Sequence, residues 1–101
     1  MKLIADVNVY RDEERITPKV HRLEITPVDG SDNNLVAHGT VEARVGRFNG
    51  AEGLELGLGI DFPTGISPDR STREVYYGVL SNAVRRLVLE YPLNGFIVKV
   101  D

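Results

Sequence analysis

The 101-residue chain contains no cysteine, which excludes disulfides, thiolate catalysis and thiolate metal sites. Histidine is almost as scarce. His21 and His38 are the whole supply, and neither stands in an HExxH or cysteine–histidine spacing, so no metal site and no cofactor are expected. No apolar run approaches the ~20 residues of a membrane span, and Asp6 interrupts the start too early for a signal-peptide core. The expectation is a cytoplasmic protein without membrane contact. Basic charge is not in excess either. Fifteen acids against twelve bases give a net charge of −3, unlike the strongly basic footprint of a nucleic-acid-coating protein. Ten glycines and five prolines are ordinary usage and exclude collagen-like or low-complexity chains.

What remains is 42% apolar and 27% charged residues in a length suited to one domain over 1–101. Segment 3–10 alternates, with Leu3, Ala5, Val7 and Val9 on one face and Asp6 and Asn8 on the other, which predicts a half-buried strand. Segment 20–28 alternates likewise, with His21, Leu23 and Ile25 together. A turn cluster over 29–34 leads into a long strand over 35–48. Asn49-Gly50 signals a hairpin, and 54–62 returns with the cleanest alternation: Leu54, Leu56, Leu58, Ile60 and Phe62 against Glu55, Gly57, Gly59 and Asp61.

The period then changes. From Ser67 or Ser71 to Tyr91, the residues Val75, Tyr76, Val79, Leu80, Ala83, Val84, Leu87 and Tyr91 share one half of a helical wheel. Ser71 with Glu74 has the spacing of a capping box. Pro92 ends the helix, and 96–100 reads as a last strand. The prediction is an α+β fold of two layers, a mostly antiparallel five-stranded sheet in the order β-β-β-β-α-β on one amphipathic helix.

Candidate chemistry is sparse. No serine elbow or nucleophile–base pair is present, and Asp6 and Asp61 share only a tendency to fall on the less apolar sheet face. No catalytic residue is assigned, and a non-enzyme is favoured. Segment 64–73 leads into a helix N-terminus, where free N–H groups and the helix dipole attract anions. Thr64, Ser67, Ser71 and Thr72 offer hydroxyls there, and Arg70 and Arg73 offer charge. Tyr77, Arg85 and Arg86 lie toward the margins or back of the helix as a candidate partner-binding rim. Gly57 and Gly59 mark a place where another backbone can approach. Ile4, Tyr10 and Ile97 give the first and last strands apolar residues on both faces, which points to a homodimer formed through the sheet. The expected function is an interaction module that binds another protein as an oligomer. The alternative is a binder of a small phosphorylated ligand or nucleic-acid backbone through 64–73.

Overall fold

The computed structural model describes residues 1–11, 19–29, 34–63, 65, 68–89 and 96–100. Strands β1 (Lys2–Arg11), β2 (Lys19–Pro27), β3 (Val36–Phe48), β4 (Ala51–Asp61) and β5 (Phe96–Val100) form one sheet, and helix α1 (Arg70–Leu89) precedes β5. The sheet order is β4-β3-β1-β2-β5. All neighbours are antiparallel except β1 and β3, which run parallel from Lys2 opposite Val36 to Arg11 opposite Val45. The α+β class and the element order are as the periodicities predict. The strand order is not legible in them. β2 ends, and β3 begins, beside the start of β1 but on opposite sides of it, so β3 runs with β1.

Alternation decides which face is buried. Leu3, Ala5, Val7, Leu23, Ile25, Ala37, Val41 and Ala43 are inaccessible or nearly so on the face toward α1, which contributes Tyr76, Val79, Leu80, Ala83 and Val84. The centre of that face is built from small residues: Ala5, Ala37, Gly39 and Ala43. Leu80 packs over Gly39, beside Ala5. Tyr76 ties the helix to the start of β1 by donating its hydroxyl to the Met1 carbonyl at 2.8 Å.

Two parts of the expected helical stripe differ from the observed one. Val75 is 50% exposed, and Leu87 is only half-buried, because the buried arc is centred on Leu80 and runs through Tyr76, Val79, Ala83 and Val84. Tyr91 and Pro92 lie outside the described residues.

Candidate functional site

The site is built from the β3–β4 hairpin. Asn49 (φ 52°) and Gly50 (φ 84°) both adopt positive φ, the requirement of a type I′ two-residue turn. Such a turn makes its flanking residues, Phe48 and Ala51, a hydrogen-bonded pair. Because the bonding pattern alternates along an antiparallel ladder, the odd-numbered residues of β4 then turn their N–H and C=O groups toward β3. Those of Leu54, Leu56, Leu58 and Ile60 point away from the sheet. An independent contact agrees with this parity: the Ile60 N–H donates to the Tyr77 hydroxyl on α1 at 3.3 Å.

β4 is therefore an open edge of 11 residues. Its side chains divide cleanly. Leu54, Leu56, Leu58 and Ile60 lie on the helix side and are only half-buried, while Glu55, Gly57, Gly59 and Asp61 are exposed on the opposite face. Gly59 has open space where a Cβ would project, and Gly57 would meet only the Glu42 Cβ at 3.9 Å. Edge strands are commonly blunted by lysine, proline, a bulge or shortness. From Ala51 to Asp61 there is no lysine, arginine or proline, and the charges are the acids Glu52, Glu55 and Asp61. The other edge, β5, has five residues and carries Lys99.

The sheet face away from α1 is a field of opposite charges. Lys2 pairs with Glu24 between adjacent strands, and Arg22 with Asp6 at 3.3 Å. Glu42 accepts from Asn8 Nδ2 at 3.1 Å, and Arg44 lies 5.1 Å from the Tyr10 ring centroid. The hydrogen bond to Glu42 raises the Tyr10 pKa above its usual value. The hydrogen bond from Lys2 lowers that of Glu24. Among these polar groups Ile4 and Tyr10 are partly covered, and Val20 and Ile97 are exposed. The face is compatible with water, as one face of an antiparallel sheet commonly is.

This arrangement disposes of several pairings. His21 is opposite Val7 on the helix side of β2, whereas His38 is exposed on the other face of β3, with β1 between their strands. Asp6 and Asp61 lie two strand spacings apart, about 10 Å, and two residues out of line, and Asp6 is engaged by Arg22. Among the described residues no three metal-ligating side chains gather, and no helix is long and apolar enough to cross a membrane.

The helix start differs from both serine-based readings. Asp69 is the cap. Its Oδ1 accepts from the Thr72 N–H at 2.7 Å, and its carbonyl accepts from the Arg73 N–H at 3.0 Å. The bond from Thr72 lowers the Asp69 pKa. The Ser71–Glu74 capping box is not formed, because Glu74 turns to Arg70, whose Nε is 3.0 Å away. Arg73 sits 5.9 Å from the Phe62 ring centroid, and Phe62 meets Tyr76 edge-on at 6.2 Å. Thr64 and Ser67 lie outside the described residues. The signal for Asp69 was present in the sequence: it stands three residues before Thr72, the spacing from a cap to the N–H that it satisfies.

The aromatic-basic rim is divided. Tyr77 overhangs β4 through its contact with Ile60. Arg85 Nε reaches Ser81 Oγ at 3.4 Å along the helix. Arg86 faces the other edge, lining an open groove of about 290 Å³ with Ala83, Leu87, Val98 and Val100. Comparison of the chain with protein-family models, curated proteins and solved structures found no match.

Proposed function

We propose that the protein is a non-enzymatic interaction module that binds another protein by strand addition along β4. The observation that carries this reading is the long edge with no strand on its outer side, in which Leu54, Leu56, Leu58 and Ile60 turn their backbone polar groups outward. An extended segment laid there gains ladder hydrogen bonds, and its alternate side chains cover the half-buried leucines. Gly57 and Gly59 leave the opposite side of the edge without side chains between Glu55 and Asp61.

The phosphate-binding alternative has less support. The Asp69 carboxylate already occupies the helix start, and Arg70 is engaged with Glu74.

An eleven-residue peptide of alternating threonine and valine, in excess over low-micromolar protein, tests the reading by backbone amide NMR. Strand addition shifts the amides of Leu54, Leu56 and Leu58 and slows their hydrogen exchange. Shifts confined to Arg70–Arg73, or to the helix around Arg85 and Arg86, would reject it, as would no shifts at all in protein that sediments as a monomer at that concentration.

A further inference from the structure

We infer that the partner taken up by the β4 edge is a second copy of this chain, paired antiparallel about a two-fold axis at Gly57. The inference rests on the strand-addition reading and adds the identity and register of the partner.

The outward backbone groups belong to even-numbered residues, so these make the hydrogen-bonded pairs of a self-pairing. Odd-numbered residues then face each other in the closer, non-bonded pairs. Axes at Glu55, Leu56 and Gly57 use most of the strand and an axis at Leu58 less of it. The axis at Glu55 sets that residue opposite its own copy, like charge against like. With the axis at Leu58, Glu55 of each copy stands opposite Asp61 of the other, and like charges directly opposite are destabilising. With the axis at Leu56, Ile60 falls opposite Glu52. With the axis at Gly57, neither pair is directly opposite, and Glu55 lies diagonal to Asp61 of the other copy. Glu55 then faces Gly59, Asp61 faces Gly53, and Gly57 meets its own copy with no side chain at the closest approach. On the helix side, Leu56 stands beside Leu58 and Leu54 beside Ile60, so each half-buried residue gains an apolar neighbour.

The strand can thus pair with itself about Gly57 with no like charges directly opposite and with apolar neighbours on the helix side. An isologous pairing also consumes both copies of the open edge and closes as a dimer. The edges left over are the two short β5 strands, each with Lys99, which do not invite further addition.

Because the chain is free of cysteine, single-cysteine variants report the register directly. A non-bonded antiparallel pair brings its Cα atoms to about 4.5 Å, inside the range that a disulfide spans. In the full chain under a glutathione redox buffer, Gly57→Cys is expected to form a disulfide-linked dimer in several-fold higher yield than Gly59→Cys or Ser71→Cys. Glu55→Cys mixed with Gly59→Cys is expected to give the mixed dimer in preference to either homodimer, which keeps the test open should Gly57→Cys fail to fold. The unsubstituted chain is expected to sediment as a dimer at about 100 μM, a concentration that captures micromolar association.

A monomer at that concentration overturns the inference, as does cross-linking at position 57 no better than at 59 and 71. If the threonine–valine peptide still shifts Leu54, Leu56 and Leu58 in such a monomer, strand addition stands and only the second copy is lost. If the peptide is also without effect, both fall.

Discussion

Leu80 rests on Gly39. A Cβ at position 39 would lie 3.1 Å from Leu80 Cδ2 and equally close to the Ala5 Cβ, tighter than ordinary van der Waals contact on two sides. The helix sits at its depth over the sheet because one residue of β3 has no side chain. Leu80 can turn its far end aside, but Ala5 is fixed to the backbone of the central strand. Gly39→Ala is therefore expected to destabilise by about 1–3 kcal/mol, the usual range for overpacking, with Gly39→Val worse. Thermal unfolding checks this, and an unchanged or raised midpoint would refute the tight fit.

Truncations along the helix should rank by burial. Leu80→Ala is expected to cost about 2–5 kcal/mol, as fully buried leucines do. Leu87→Ala should cost less, since Leu87 is only half-covered. Urea denaturation of both variants measures the difference. Equal losses would place Leu87 in the core after all.

Asp69 should govern the acid limb of stability at the helix start. Its folded-state pKa is lowered by the Thr72 N–H, so its contribution is present above the ordinary carboxylate range and is lost as pH falls through the folded value. Glu24, lowered by Lys2, adds to the same limb. Asp69→Asn preserves a competent cap and should keep most of the stability at pH 7 while flattening the fall in acid. Asp69→Ala should lower stability at pH 7 as well. Melting temperatures between pH 7 and pH 2.5 separate the two variants, and an unaltered acid limb in Asp69→Asn would contradict the assignment.

Tyr77 competes for the edge. Its hydroxyl holds the Ile60 N–H at 3.3 Å, and the same N–H would donate to Leu54 of a second copy. Tyr77→Phe frees that donor at little cost in packing. Self-association should tighten by about threefold, the scale of a modest hydrogen bond. Sedimentation equilibrium measures it, and weaker association in Tyr77→Phe would mean that the hydroxyl supports the pairing.

Much of the local structure was legible because it depends on near neighbours. The period of two in 3–10, 20–28 and 54–62 identified strands, and Asn49-Gly50 identified the hairpin whose turn sets the parity of β4. The helix was legible as a stripe, but its cap was not settled by Ser67 or Ser71. Three candidate caps stand within five residues, and the choice fell to Asp69 through its bond to Thr72. Gly57 and Gly59 were visible as places for close approach, yet nothing local showed that their strand lies at an edge.

By itself, then, the sequence determined which segments are strands and helix, which face of each is apolar, and that thiolate chemistry is excluded. These follow from alternation, turn residues and composition, all properties of neighbours along the chain. Only the tertiary structure decided that β3 pairs with β1 in parallel, that β4 and β5 form the edges, and that Gly39 receives Leu80. It also separated His21 from His38 and placed Tyr77 and Arg86 on opposite flanks. Such relations depend on which distant strands meet, and several strand orders bury the same apolar faces. The physical reason is that hydrophobic burial rewards covering a face without specifying which neighbour covers it, so close packing and chain connectivity make the choice.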